Sequence, residues 1–207
     1  MITHENGIFL LHNEKLSFML RVNEQGLLEQ LHFGAPISIT DAAAMTICRS
    51  LSWGASVLLG DGDNGSCPDE MPLVWSGSGR GDYRESPVEL AGKPTDFRYE
   101  GFEILEGIAP MTCGLPQAHG GEQTLVITLT QKDAKLQLYY TVYSTALVRR
   151  TVLTNMGEAP IALNKLMSFS LDLPGSYTMA TFNGSWIAEM HRTDTVVAES
   201  KVVNESL

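Results

Sequence analysis

The sequence predicts an all-β fold, either an antiparallel sandwich or a barrel. Apolar and polar residues alternate with a period of two along several segments, as in strands that bury one face. Short turns separate these segments, which is typical of antiparallel sheets. No long amphipathic helix is visible. Residues 41–48 are predicted as one short helix with Asp41 as its N-cap.

Six strands follow from the alternation, in chain order. They cover residues 17–22, 27–33, 124–130, 135–143, 148–155 and 161–171. Residues 23–26 form the turn between the first two, and the four residues between the third and fourth are of hairpin length. Residues 58–87 interrupt the pattern, because glycine and acidic residues replace the periodic apolar positions. We expect a long loop there, and long loops are often functional.

The composition indicates a soluble, acidic, globular protein. The chain has 207 residues, of which 43% are hydrophobic and 18% charged, and its formal net charge is −10. This charge argues against a nucleic-acid partner, which would require clustered cations. We see no signal peptide and no apolar stretch of membrane-spanning length, so we expect a cytoplasmic protein without a membrane partner.

Neither a metal site nor a cofactor site is expected. The five histidines are scattered without an HxH or HExxH pattern. Cys48, Cys67 and Cys113 show no CxxC spacing, which favours reduced thiols. Asp61 and Asp63 weakly resemble a calcium loop, but Pro72 stands where that loop requires an acidic residue.

The long loop carries the candidate binding residues. They combine aromatic and charged side chains: Trp75, Arg80, Asp82, Tyr83 and Arg84. Sugars require this mixture, because aromatic faces cover their C–H surfaces and charged groups bind their hydroxyls. Alternatively, the two arginines pair with Asp82 and Glu85 and only order a solvated loop. Residues 80–82 also spell Arg-Gly-Asp, the tripeptide of integrin-binding adhesion proteins.

A series of short motifs runs in collinear order through the chain. They are GDYRESP at 81–87, YEGFEILEG at 99–107, CGLPQ at 113–117, EQTL at 122–125, LYYTV at 138–142, RRTVLTN at 149–155, SFSLDLP at 168–174 and NGSW at 183–186, with Glu189 just after. In this order the chain resembles the N-terminal domain of the glycoside hydrolase family 36 α-galactosidases, over residues 8–192.

The resemblance implies an antiparallel β-sandwich of the supersandwich type that is incomplete on its C-terminal side. Residues 1–192 would form this domain, and residues 193–207 an unrecognised polar tail. In the family a (β/α)₈ barrel follows and hydrolyses terminal α-linked galactose with retention, using two aspartates of the barrel. We therefore expect no catalytic residue in this chain and no activity from it alone.

The resemblance also assigns a role to the loop. In the family this region lines the rim of the sugar pocket, often that of a neighbouring subunit in a tetramer. The implied substrate-binding residues are Asp69, Trp75, Arg80, Asp82, Tyr83 and Arg84, the implied ligands are α-galactosides, and a homo-oligomer is expected. The alternative is a free-standing galactoside-binding module without hydrolase activity.

Overall fold

A computed structural model describes residues 1–46, 66–78, 82–111, 114–198 and 200–205 of the protein. Strands make up 48% of the structure and helices 6%, every sheet is antiparallel, and the described residues form no closed barrel. The prediction of an all-β sandwich is thereby confirmed. The chain divides into two compact units, Met1–Asp172 and Leu173–Leu207.

The described residues of the first unit form two four-stranded sheets and one two-stranded sheet. The first sheet has the order β1-β2-β3-β4, with β1 Ile2–Glu5, β2 Ile8–His12, β3 Ser17–Val22 and β4 Leu28–Gly34. The second has the order β6-β7-β8-β9, with β6 Arg98–Glu106, β7 Gln123–Gln131, β8 Ala134–Val142 and β9 Leu147–Asn155. The short strands β5 Val88–Leu90 and β10 Leu163–Leu166 pair with each other.

The core lies between the inner faces of the two larger sheets. Phe9 and Phe18 of the first sheet and Leu138 and Tyr140 of the second are almost fully buried and belong to one apolar cluster. The rings of Phe18 and Tyr140 meet with centroids 5.7 Å apart. Because burial of one large apolar side chain stabilises a fold by roughly 1.5–3 kcal/mol, this shared core holds the sheets together.

The last strand predicted from the alternation is shorter in the structure. Of residues 161–171, only Leu163–Leu166 form β10, and the register with β5 shifts between Leu163 and Lys165. After β10 the chain remains attached to the first unit, because the main-chain N–H of Met167 donates to the carbonyl of Pro87. Beyond β10, Leu171 packs on the core without continuing the sheet ladder, whereas Phe169 is exposed.

The predicted short helix is present in part, but its cap differs from the prediction. A 3₁₀ turn, Ile39–Asp41, leads into α1, Ala42–Met45, and residues 47 and 48 lie outside the described residues. Asp41 precedes α1 without capping it through its side chain. Its carboxylate instead accepts from the N–H of Ser38 at 2.9 Å, within a capping box that closes the 3₁₀ turn.

The second unit is a β-hairpin of β11, Tyr177–Ser185, and β12, Ala188–Val197. Residues 193–197, which the sequence analysis placed in a polar tail, form the end of β12. Trp186 and Ile187 form the turn and are exposed, and Ile187 has a positive φ of 72°. No helix in the described parts of the chain is long and apolar enough to cross a membrane.

Candidate functional site

A two-residue clamp organises the described part of the long loop. The Arg84 guanidinium donates from Nε to Asp82 Oδ1 at 3.1 Å and from one terminal nitrogen to Asp82 Oδ2 at 3.2 Å. Two parallel bonds of this kind make the strongest arginine–carboxylate geometry. The main-chain N–H of Arg84 also donates to Asp82 Oδ1, at 3.1 Å. The Asp82 side chain is only 2% exposed, so both of its oxygens serve this clamp.

The clamp fastens the loop to two other segments. Arg84 donates to the carbonyl of Pro68 at 3.0 Å and lies 3.7 Å from the carboxylate of Asp172. Pro68 begins a 3₁₀ turn, Pro68–Glu70. The next residue in that turn, Asp69, accepts from the main-chain N–H of Tyr83 at 3.2 Å. The structure thus brings together four of the candidate residues, Asp69, Asp82, Tyr83 and Arg84.

Tyr83 is the group that this arrangement presents to solvent. Its side chain is 87% exposed, although its main chain is held between the clamp and Asp69. Asp69 is exposed beside it, and Arg84 keeps 28% of its side chain exposed. An aromatic face beside a carboxylate and a guanidinium can pack on the C–H surface of a sugar and bind its hydroxyls. We call Asp69, Tyr83 and Arg84 the Tyr83 patch.

Of the two remaining candidates, Trp75 does not join the patch. Arg80 lies outside the described residues. Trp75 is only 3% exposed and belongs to the core, so it does not present its ring as the sequence analysis expected. This part of the long loop enters the sandwich, because the N–H of Val74 donates to the carbonyl of Leu28 in β4 at 2.9 Å. Val74 and Trp75 are therefore both part of the apolar core.

Two residues that support the patch were missed in the sequence. Gln30 of β4 donates to the main-chain carbonyl of Asp172 at 2.6 Å and accepts from its N–H at 3.1 Å. Gln30 is buried, so these bonds hold Asp172 where its carboxylate faces Arg84. Asp172 lies inside the SFSLDLP motif, which was the available signal, whereas nothing in the sequence distinguished Gln30.

A second ion-pair group anchors the end of the loop. Lys165 of β10 places its ammonium 2.6 Å from both Glu85 and Glu89. Burial by itself would lower the pKa of Lys165, but hydrogen bonds and charges from the two glutamates outweigh it and raise that pKa. Glu85 thus has Lys165 as an ion-pair partner. The arrangement ties the residue after Arg84 to β10.

Comparison with known proteins places the chain in a family. The model of the glycosyl hydrolase family 36 N-terminal domain matches residues 26–207. A probable α-galactosidase C of Aspergillus flavus is 33% identical over 205 residues, which cover 92% of this chain and 26% of that protein. The α-galactosidase Mel36A of Lactobacillus acidophilus is 29% identical over 183 residues, covering 81% of this chain and 24% of that protein.

A solved structure supports the same fold. A variant of the α-galactosidase AgaA of Geobacillus stearothermophilus, in complex with raffinose, matches with a TM-score of 0.80 at 22% identity, over 92% of this chain and 28% of that chain. The present chain therefore spans about a quarter of the length of the relatives that it matches. Because the family model covers most of its residues, the chain belongs to the glycosyl hydrolase family 36 N-terminal domains.

Proposed function

We propose that the chain is the non-catalytic N-terminal domain of an α-galactosidase and that the Tyr83 patch forms part of the rim of its sugar site. The match to the family's N-terminal domain supports the first part. The second part rests on one observation, the exposed Tyr83 ring on a main chain that is hydrogen-bonded to Asp69 and to Asp82 on its two sides. A preordered platform binds with less loss of conformational entropy than a free loop.

The clamp is suited to binding and not to hydrolysis. A retaining glycosidase requires two carboxyl groups about 5–5.5 Å apart, of which one transfers a proton. Asp82 is committed on both oxygens to Arg84. Both oxygens of the carboxylate are thus occupied by a partner within the chain. The catalytic aspartates would come from the barrel of the parent enzyme.

The ligand that we propose is a terminal α-linked galactose of an oligosaccharide. The relative from Geobacillus stearothermophilus was solved with raffinose, which is such a sugar. In the proposed arrangement the Tyr83 ring packs on the C–H face of the sugar, while Asp69 and the exposed edge of Arg84 bind hydroxyl groups. All three groups are neutralised or solvated in the absence of sugar, so binding would require little desolvation of buried charge.

A domain exchange tests this proposal. The chain would replace the matching N-terminal region of the Lactobacillus acidophilus α-galactosidase, and raffinose hydrolysis would be measured. We expect an active chimera in which Tyr83→Ala raises KM about tenfold, equal to roughly 1.4 kcal/mol of lost binding. The control is Met156→Ala, which truncates an exposed side chain in the turn after β9. An equal KM for the two variants would contradict a sugar-contacting role for Tyr83.

The alternative is a free-standing galactoside-binding module. It is favoured by the fact that the Tyr83 patch is assembled entirely from residues of this chain. Calorimetric titration of raffinose into the 207-residue chain separates the two proposals. Binding that is lost in Tyr83→Ala would support the module, whereas no detectable heat at millimolar sugar would leave only the domain of a larger enzyme.

We also infer that the parent protein is a cytoplasmic homo-oligomer. Exposed apolar side chains on the hairpin of the second unit support self-association, notably Phe182, Trp186 and Ile187. Cys67, a free thiol, supports a reducing compartment. Light scattering after size-exclusion chromatography would measure the oligomeric state. A monomer at all concentrations would contradict the inference of a homo-oligomer.

A further inference from the structure

Arg149 points its charged side chain toward the core of the first unit. It lies on β9 directly opposite Tyr140 of β8. Paired residues of an antiparallel ladder project from the same face of the sheet, and Tyr140 is almost fully buried in the core. Leu147 and Leu153, which lie two and four positions from Arg149 on the same strand, also pack on the core. Arg149 therefore occupies an inward-facing position.

Three aromatic rings surround the Arg149 guanidinium. Its central carbon lies 5.0 Å from the ring centre of Tyr140, 5.5 Å from that of Trp75 and 5.4 Å from that of Phe169. Aromatic faces attract a cation at these distances. They do not replace the oxygen acceptors that the guanidinium binds in water. We call these four residues the Arg149 cage.

The cage contains hydrogen-bond donors without acceptors. The three guanidinium nitrogens of Arg149 are buried and have no hydrogen-bond partner among the described residues. The same holds for the indole nitrogen of Trp75 and the hydroxyl of Tyr140. A guanidinium alone carries five N–H donors. Buried polar groups are nearly always satisfied in folded proteins, so this concentration of unsatisfied donors indicates a missing acceptor.

The electrostatics of the cage agree with its geometry. Burial lowers the pKa of the Arg149 guanidinium, and the nearby Tyr140 only partly opposes this shift. Burial likewise raises the pKa of the Tyr140 hydroxyl, although the charge of Arg149 opposes that shift. Arginine nevertheless stays protonated in proteins. The cage thus holds a positive charge without a described counter-ion.

We propose that the Arg149 cage is a binding site for a carboxylate group. A carboxylate matches the planar fork of a guanidinium with two parallel bonds, and its remaining lone pairs can accept from the Trp75 indole and the Tyr140 hydroxyl. A single negative charge balances the single positive charge. Phe169 is 43% exposed, whereas Trp75 and Tyr140 are buried. The carboxylate would therefore enter the cage from the side that Phe169 forms. Its source is either an acidic side chain of a neighbouring polypeptide or a small free acid.

The site is independent of the Tyr83 patch and can be tested in the 207-residue chain. The equilibrium constant for unfolding, called the unfolding constant below, would be measured in urea. Sodium formate is the probe, and sodium chloride at equal ionic strength is the reference. At formate concentrations ten times its dissociation constant, the unfolding constant of the wild-type chain should fall about tenfold. Arg149→Met, which removes the fork, should not respond to formate beyond the chloride reference.

The controls separate the fork from charge in general. Arg150 lies on the opposite face of β9, over the ring of Tyr139, and donates to the carbonyls of Ala109 and Pro110. Arg150→Met should therefore keep the full response to formate. Arg149→Lys keeps the charge without the fork and should lose most of the response. It also provides a second variant if Arg149→Met does not fold.

A second measurement identifies the source of the carboxylate. In chloride alone, a hundredfold increase in protein concentration should lower the unfolding constant of the wild type, but not of Arg149→Lys, if a second copy supplies the group. A response to formate without this concentration dependence assigns the site to a small acid or to another polypeptide. Two results would overturn the proposal. One is an equal response of the wild type and both Arg149 variants to formate. The other is a higher unfolding constant for Arg149→Met than for the wild type in chloride at the lowest protein concentration, where no second copy is bound; this result would place an acceptor within the chain.

Discussion

Replacing Arg84 by methionine tests whether the clamp holds the loop. The substitution keeps most of the length of the side chain but removes every donor of the guanidinium. The Asp82 carboxylate, 2% exposed, then loses both side-chain bonds and keeps the one from the main-chain N–H of residue 84. The bond to the carbonyl of Pro68 is also lost.

The magnitude follows from the burial of the pair. Removing one partner of a fully buried ion pair costs about 3–5 kcal/mol. Arg84 is 28% exposed and the main-chain bond to Asp82 survives, so the cost should be lower. We expect a loss of roughly 2–3 kcal/mol, because a buried charge without its partner costs more than a lost neutral hydrogen bond. For a chain of this length, that corresponds to a fall of about 5–10 °C in Tm.

The assay is urea unfolding followed by tryptophan fluorescence and circular dichroism. The matched control is Arg192→Met, because Arg192 also pairs with an aspartate two residues away, Asp194, at 2.8 Å. Both side chains of that pair are exposed, so its removal should cost below about 1 kcal/mol. If the two substitutions cost the same, burial does not strengthen the clamp, and the argument from the geometry of Asp82 is refuted.

Two further substitutions test the supports of the patch. Gln30→Leu leaves the main-chain N–H and carbonyl of Asp172 without their partners, so we expect a loss of about 1–3 kcal/mol in urea unfolding; a loss below about 0.5 kcal/mol would contradict this role. The raised pKa of Lys165 stabilises the fold below its unfolded-state pKa of about 10.4, and this stabilisation disappears as the pH rises through the folded-state value. Lys165→Met should therefore remove part of the decline in unfolding free energy as the pH rises above about 10, by up to about 1 kcal/mol. An unchanged decline would argue against the pairs with Glu85 and Glu89.

The strands of the sandwich were largely predictable, because strand formation depends on a local pattern. Leu125, Ile127 and Leu129 alternate with threonines and a valine, and all three are buried in β7 as expected. The hairpin between β7 and β8 also follows the prediction, since its length restricts the turn. The strands β1, β2, β5, β6, β11 and β12 were missed, because they are short or lack a clear alternation of buried and exposed positions.

The candidate site was predictable only in its residue types. The loop sequence, with the help of the family resemblance, indicated Asp82, Tyr83 and Arg84. It did not show which acidic residue would pair with Arg84, or that Tyr83 and not Trp75 would remain exposed. Those outcomes depend on which groups each side chain meets after folding.

The sequence by itself determined that the chain forms antiparallel strands around an apolar core, because the period of two is a property of the extended backbone. Tertiary structure alone decided the long-range contacts. Gln30 meets the main chain of Asp172 across 142 residues, and no local pattern encodes such a pair. Arg149 and Arg150 are identical neighbours in the sequence. The register of β9 with β8 turns Arg149 toward the core and Arg150 away from it, because each step along a strand reverses the face of the sheet.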